Sequence, residues 1–122
     1  ALVGIWYETV ALMQRDDAEG KAARAAMAKL SGATPEMFDS QLATTFLYAD
    51  PKAALAATTS PALVATMTAV RDFSFSKGLF KGASSADAVG IGFPGGKVLG
   101  DPGRVTLRFD DAFMKLAANG KL

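Results

Sequence analysis

The stretch TPEMFDSQLATTFLYADPKAALAATTSP, residues 34–61, decides the fold class because it repeats one two-residue signal three times. Thr34, Asp50 and Ser60 each carry a side-chain oxygen that can cap a helix, and each is followed by proline. Proline suits the first helical position because its fixed φ is already helical and no intrahelical hydrogen bond is lost there. The stretch therefore predicts three successive helix starts within one helical array.

Two more helices are predicted before this stretch. Residues 1–13, ALVGIWYETVALM, follow a helical pattern, and the face opposite the main apolar face is itself partly apolar through Val3, Tyr7 and Val10. The apolar residues on both faces of such a helix need other parts of a protein packed against them. Asp16 followed by Glu19 resembles a capping box for the second helix, which Gly32 would end in the left-handed conformation.

The chain after Ser60 is predicted to form a long helix that ends at Gly78, followed by irregular structure. Its apolar residues are interpreted as core: Phe73, Phe75, Leu79 and Phe80. Residues 105–109, VTLRF, alternate like a strand, but one short strand is not a stable sheet. We expect this segment either to dock on something outside the chain or to be extended coil. Asp110 is then expected to cap a last helix to about Ala118.

Residues 88–103, AVGIGFPGGKVLGDPG, contain the pattern G-x-G-x-x-G from Gly90 to Gly95. In a dinucleotide site a strand precedes these glycines and a helix opens on the last one, so that its N-terminus meets the pyrophosphate. Pro94 and the glycines after it disfavour a helix here. The segment is therefore predicted to be a series of turns rather than a phosphate loop.

Composition excludes several function classes. The 122 residues carry 13 basic and 12 acidic side chains in an interspersed order, so no basic patch for nucleic acid or anionic lipid is predicted. The chain has no cysteine and no histidine, which removes thiol nucleophiles, thiolate metal sites, the usual general base and the commonest metal ligand. The sequence predicts neither an enzyme nor a metal site, and it indicates no cofactor.

Four segments together resemble the solute-binding proteins of nitrate/taurine-type ABC transporters: GIWYETVALM, AARAAMAKLSGATPEMFDSQL, TMTAVRDFSFSKGLF and LRFDDAFMKLAANGKL. The order of these segments covers essentially all 122 residues. The resemblance implies a two-lobed periplasmic protein that traps a small polar solute, such as nitrate, a sulfonate or an amine-like compound, and delivers it to an ABC permease.

The resemblance also implies that residues 1–122 are a single segment, the C-terminal third of such a protein. The expected structure is a mostly α fragment of an α/β, type II periplasmic-binding-protein-like fold, a helical array with one or two short extended segments. The signal peptide, most of both sheets and most ligand contacts would then precede residue 1. A processed or engineered start is the alternative explanation for a chain that begins within a helical pattern.

Trp6, Tyr7 and Glu8 are the candidate ligand-binding residues, because in the resembling proteins the early turns of this helix can approach the cleft. An aromatic face with a carboxylate can hold an amine by cation–π contact and a charge-assisted hydrogen bond. The alternative is that the aromatic side chains are core and Glu8 is solvated. Arg71 and Asp72 are interpreted as a stabilising ion pair.

Two other functions stay open: a free-standing helical interaction module, and a segment of an enzyme resembling thiamin-pyrimidine synthases. The missing histidine disfavours the enzyme. Because its first helix is apolar on two sides, the chain alone is also expected to self-associate.

Overall fold

The computed structural model describes residues 2–122, in which six α-helices precede and follow a small sheet. The helices are α1 (Leu2–Met13), α2 (Ala18–Ser31), α3 (Pro35–Ala43), α4 (Pro51–Thr59), α5 (Pro61–Ser76) and α6 (Ala112–Ala118). The strands are β1 (Gly90–Gly92), β2 (Val98–Leu99) and β3 (Val105–Arg108). The chain is therefore mostly helical, and its sheet is inserted between α5 and α6.

The three predicted cap-proline pairs are confirmed. The side chains of Thr34, Asp50 and Ser60 each accept a hydrogen bond from a backbone N–H in the first turn, at 3.2, 3.0 and 3.1 Å. Gly32 and Gly78 follow α2 and α5 with φ of 74° and 70°, as expected of left-handed helix ends. Local sequence is sufficient to set these boundaries because every cap is made within a few residues.

Two predicted caps are displaced by one residue. The N-cap of α2 is Asp17 rather than Asp16, and its Oδ1 accepts from the Gly20 N–H at 2.9 Å. Arg15 Nε donates to the other oxygen of the same carboxylate at 2.8 Å, which fixes Asp17 in the capping position. At α6 the N-cap is Asp111, although Asp110 Oδ1 still accepts from the first N–H of the helix at 2.8 Å.

The sheet has the order β2-β1-β3, and it corrects the prediction of turns alone in residues 88–103. In the antiparallel pair with β2, Ile91 lies opposite Leu99. In the parallel pair with β3, it lies opposite Leu107. VTLRF is thus neither free coil nor docked outside the chain, because it pairs with the glycine-rich segment. The prediction that no helix opens on Gly95 is confirmed, since only a single 3₁₀ turn forms at Pro94–Gly96.

Close backbone approach explains why glycine occupies Gly90 in β1. A Cβ atom built there would lie 2.1 Å from the carbonyl oxygen of Asp101, far inside contact distance. Asp101 precedes the 3₁₀ turn that leads into β3. Glycine therefore lets the two segments come close enough for β1 and β3 to pair.

Arg24 of α2 joins three parts of the helical array. Its Nη1 donates to the carbonyl oxygens of Met13 and Arg15, at 2.8 and 2.7 Å, where α1 ends and turns. Its Nε donates to Asp39 of α3 at 2.8 Å, and the Arg24 side chain is only 12% exposed. The guanidinium group therefore holds the end of α1 and one side of α3 against α2.

The second half of the chain packs around α6. This helix contacts both α4 and α1, so it links the array to the chain beyond the sheet. In the second half of α5, Arg71 forms the predicted ion pair with Asp72 at 2.9 Å and a second one with Asp87 at 2.6 Å. Asp87 lies in the turn before β1, so Arg71 anchors the sheet to α5.

Little side-chain volume is enclosed. Within residues 2–122 the buried hydrophobic residues are Val10, Ala28, Ala54, Ile91 and Phe93. The predicted core assignment of Phe73 and Leu79 is wrong, since they are 61% and 66% exposed, whereas Phe75 and Phe80 are half-buried with ring centroids 6.4 Å apart. Helical spacing identifies an apolar face correctly, but it does not tell whether the same chain covers that face.

Substitution of Gly90 by alanine tests the role of close backbone approach in the sheet. We expect Gly90→Ala to lower the free energy of unfolding by about 1 to 3 kcal/mol, because a backbone carbonyl must move to admit the methyl group. Gly92→Ala is the matched control, since its Cβ would meet the Val105 side chain at 3.2 Å, which can yield. Urea denaturation at one protein concentration measures the free energy of unfolding of the two variants. Equal losses in the two variants would contradict this account of the sheet.

Substitution of Arg24 by lysine tests the three-way junction. Lysine keeps the charge but is a compact donor that cannot span acceptors on different elements. We therefore expect Arg24→Lys to reduce the free energy of unfolding by about 1 to 3 kcal/mol. Arg104→Lys is the control, because Arg104 is exposed and the structure of residues 2–122 records no ion pair for it. This variant should leave the free energy of unfolding nearly unchanged. If Arg24→Lys is as stable as Arg104→Lys, the Arg24 guanidinium group does not stabilise the packing of α1 and α3 on α2.

Candidate functional site

The three sequence-predicted ligand residues lie on α1 but do not form one site. Successive residues of an α-helix are rotated by about 100°, so Trp6 and Glu8 are separated by about 200° around the helix axis. Trp6 lines a groove on the side of α3, whereas Tyr7 and Glu8 line a cleft on the side of α6. A single small ligand cannot contact both faces of the helix in this arrangement.

The Trp6 groove is an apolar depression of ≈ 260 Å³ between α1 and α3. Val10, which is 1% exposed, forms its floor, and Trp6 itself is 54% exposed. The remaining lining residues are Thr9, Met13, Phe38, Gln41, Leu42, Thr45 and Leu47. Since no ionisable side chain lines it, this groove suits an apolar partner better than a charged solute.

The Tyr7 and Glu8 cleft is smaller, at ≈ 200 Å³, and residues after α6 line one side of it. Gly4 of α1 and Pro51 of α4 line it together with Ala117, Gly120 and Leu122. Burial raises the pKa of the Tyr7 phenol, and the negative charge of Asp50 raises it further. Tyr7 is therefore a neutral phenol at physiological pH, able to donate one hydrogen bond beside the Glu8 carboxylate.

A third cleft, which the sequence did not predict, lies where the sheet meets α6. Phe93 and Phe109 stack with ring centroids 5.5 Å apart and planes 14° apart, and they line a cleft of ≈ 340 Å³. Lys97, Arg108 and Asp110 line the same cleft. The structure of residues 2–122 records no ion pair for these two cations or for this carboxylate.

This third cleft is an open depression with a mixed lining, and its volume falls at the low end of the range of about 300 to 1,000 Å³ that ligand pockets commonly span. An aromatic floor with charges of both signs would suit a small molecule that carries an apolar body and a polar group. Sequence reasoning missed it because Phe93 and Phe109 meet only through the pairing of β1 with β3. The alternation in VTLRF was the available signal, but it did not identify the partner strand.

Residues 2–122 contain neither a cluster of metal-ligating side chains nor a single helix of membrane-spanning length and composition. No group of three or more acidic side chains is arranged to hold a metal ion in that range. Among the same residues, no single helix is both long and apolar enough to cross a membrane. The consecutive helices α4 and α5, bent by 62°, meet the length and composition test only as a pair.

Comparisons of the chain with models of protein families, with curated proteins and with solved structures find no match.

A titration of Tyr7 tests the electrostatics of the second cleft. In a Tyr48→Phe background, tyrosinate absorbance should report a pKa for Tyr7 above the ordinary value of 10.0. Asp50→Asn should lower that pKa part of the way, because asparagine still caps α4 but no longer repels the phenolate, while burial remains. Because the pKa of Tyr7 is raised in the folded state, the contribution of Tyr7 to the free energy of unfolding is complete at pH values below its unfolded-state pKa. This contribution is lost as the pH rises through the folded-state pKa.

The matched control for that titration is Asp101→Asn, which also keeps a capping residue but lies near the sheet. It should leave the pKa of Tyr7 unchanged. A pKa of Tyr7 at or below the ordinary value would contradict the burial of its phenol.

Proposed function

We propose that residues 1–122 are the C-terminal part of a periplasmic solute-binding protein that delivers a small polar solute to an ABC permease. The observation that carries the proposal is the large apolar surface left uncovered by these residues. A segment of a two-lobed protein would leave such a surface for the rest of the polypeptide to cover. The four resembling segments supply the family.

The accessible surface of the chain is larger than that of a compact monomer of the same mass. The accessible surface is 8109 Å² for a chain of 12.6 kDa, whereas a compact monomer of that mass exposes about 6,200 Å², so the difference is about 1,900 Å². Large apolar side chains contribute to it, among them Leu2, Leu30 and Phe113 in helices and Phe46 between α3 and α4, which are 80%, 89%, 58% and 81% exposed. Water is a poor environment for these exposed apolar side chains, and a larger fold would bury them.

The architecture also supports the proposal, though it is not specific to it. Helices that accompany a parallel strand pair are usual in α/β lobes, and β1 and β3 are such a pair. In the proposed parent, a type II periplasmic-binding-protein-like fold, the helical array would cover one lobe and the small sheet would lie at its periphery. A signal peptide would precede residue 1.

The ligand role of α1 takes a narrower form in this proposal. Because Trp6 and Glu8 face opposite sides of the helix, only one of them can contact the solute in a cleft of the parent protein. The Glu8 side, with the neutral Tyr7 phenol, offers the polar groups that a small polar solute requires, so Glu8 is the proposed contact. Trp6 would then be covered by other parts of the parent chain.

The apolar Trp6 groove favours one alternative function, a helical interaction module that takes up a partner helix. Amphipathic helices bind such grooves through apolar side chains spaced by three or four residues. The two functions differ in what covers the groove: another part of the same chain, or a separate protein.

The reading frame upstream of the Ala1 codon provides the first test. We expect it to encode a signal peptide and two lobes, and native mass spectrometry of that longer protein should show a bound small solute. In calorimetric titration with this solute, Glu8→Gln should weaken binding by about 1 to 3 kcal/mol. Trp6→Ala and the distant Lys81→Gln should leave the affinity unchanged.

Two results would contradict the proposal. A longer protein that has neither a leader nor a second lobe would remove the transport function. Normal solute binding by Glu8→Gln would instead remove only the role of Glu8.

A further inference from the structure

Three depressions meet around the stacked rings of Phe93 and Phe109. One is the third cleft described above, of ≈ 340 Å³, which both rings line. A second, of ≈ 160 Å³, shares Phe93 and Lys97 with it and lies against the corner between α4 and α5. The last, of ≈ 410 Å³, shares Phe109 with the first and extends along the start of α5. They adjoin one another through these shared residues, and together we call them the sheet-corner cleft.

Backbone pairing places two cations beside the rings. Lys97 lies across the Pro94–Gly96 turn from Phe93, since the Lys97 carbonyl accepts a hydrogen bond from the Phe93 N–H at 2.8 Å. Arg108 lies opposite Gly92 in the pairing of β1 with β3. A Cβ atom built on Gly92 would lie 3.5 Å from Arg108 Cγ, so the arginine stem passes over the space that glycine leaves. Both cationic side chains line the depression that the two rings share.

The carboxylates of this cleft are already engaged, whereas the cations are not. Asp110 Oδ1 accepts a hydrogen bond from the first N–H of α6 at 2.8 Å, where a helix favours a negative charge. Asp111 Oδ2 lies 2.8 Å from Lys115 Nζ, and the Asp111 side chain is only 13% exposed. For Lys97 and Arg108 the structure of residues 2–122 records no ion pair. The charge that stays free to bind a ligand is therefore positive.

A small carboxylate with a flat apolar body matches this arrangement. The Arg108 guanidinium carries its donors in a planar fork that fits a carboxylate, and the Lys97 ammonium adds a second positive charge. The rings of Phe93 and Phe109 are inclined by only 14°, so they offer a flat apolar wall to the body of the ligand. An amine of the same shape would instead meet two like charges.

We propose that the sheet-corner cleft binds a small carboxylate whose charged group meets Lys97 and Arg108 and whose flat apolar body lies against the stacked rings. Among the described residues, this cleft shares no lining residue with the Tyr7 and Glu8 cleft. The inference therefore does not depend on the proposed transport function, and either proposal can fail without the other.

Calorimetric titration of the 122-residue chain with four related probes tests the ligand class. Cinnamate, a flat carboxylate, should bind at one site and bind more weakly as the salt concentration rises. Cinnamamide has the same body without the charge, and acetate has the charge without the body. We expect each of them to bind at least about tenfold more weakly than cinnamate. Cinnamylamine, the matched cation, should show no binding.

Matched variants test the two cations. Arg108→Gln should weaken cinnamate binding by about tenfold, because a charge-assisted hydrogen bond is lost, and Lys97→Gln should weaken it in the same direction. Both positions are exposed, so both variants should retain the far-ultraviolet circular dichroism of the unmodified chain. Arg104→Gln is the control. It removes the same charge near the sheet without touching the cleft, and it should leave the affinity unchanged.

Nuclear magnetic resonance provides a second readout in case a variant fails to fold. Cinnamate added to the unmodified chain should shift the ring resonances of Phe93 and Phe109 and leave those of the distant Phe38 in place. Absence of cinnamate binding at millimolar concentration would overturn the inference. Equal affinities for cinnamate, cinnamamide and cinnamylamine would also overturn it, since apolar surface alone would then bind the probes. Equal losses in Arg108→Gln and Arg104→Gln would do the same, since the effect would be one of overall charge.

Discussion

The arrangement of the first three helices depends on the Arg24 guanidinium group. Its donors bind two carbonyl oxygens at the end of α1 and one carboxylate oxygen of α3, all within 2.8 Å. Because the side chain is 12% exposed, water competes little for these charge-assisted hydrogen bonds. Few buried apolar side chains secure α1, so this polar junction fixes the angle between α1 and α3. The groove beside Trp6 lies between these two helices.

The sheet depends on backbone proximity rather than on side-chain bulk. Glycine at Gly90 lets β1 approach the chain before β3, and Ile91 is then flanked by a leucine of each neighbouring strand. The stacked Phe93 and Phe109 are the main side chains that this pairing brings together. A strand of three residues is short, so the sheet stays small, and its cleft is formed by the residues directly after β1 and β3.

Sequence reasoning succeeded where the information was local. Each cap-proline pair specifies a helix start through bonds within one turn, so the helix starts at Pro35, Pro51 and Pro61 were predicted correctly. The pairing of β1 with β3 was not predictable in this way, because nothing in VTLRF identifies a glycine-rich segment as its partner. The prediction that Phe73 is a core residue failed for a different reason. Periodicity located the apolar face that includes Phe73, but whether that face is covered depends on surfaces beyond the helix itself.

The candidate site shows the same limit at a smaller scale. Trp6, Tyr7 and Glu8 are adjacent in sequence, and their chemistry is complementary, yet helical rotation directs them into two separate depressions. Rotation alone could have separated Trp6 from Glu8, since only the helix period is needed for that step. Which element each side then faces, α3 or α6, required the tertiary arrangement. For this reason Glu8, rather than Trp6, is the residue that we propose as a contact for a polar solute.

Covering by the proposed parent chain and covering by a second copy would compete for the same face of α1. A segment tethered in the same polypeptide acts at an effective concentration of about millimolar, whereas a second copy must reach the surface at its free concentration. The tethered segment therefore prevails wherever its geometry allows contact. Self-association of the 122-residue chain and a monomeric longer protein would thus both follow from one exposed surface, and the polypeptide present in solution would decide which forms.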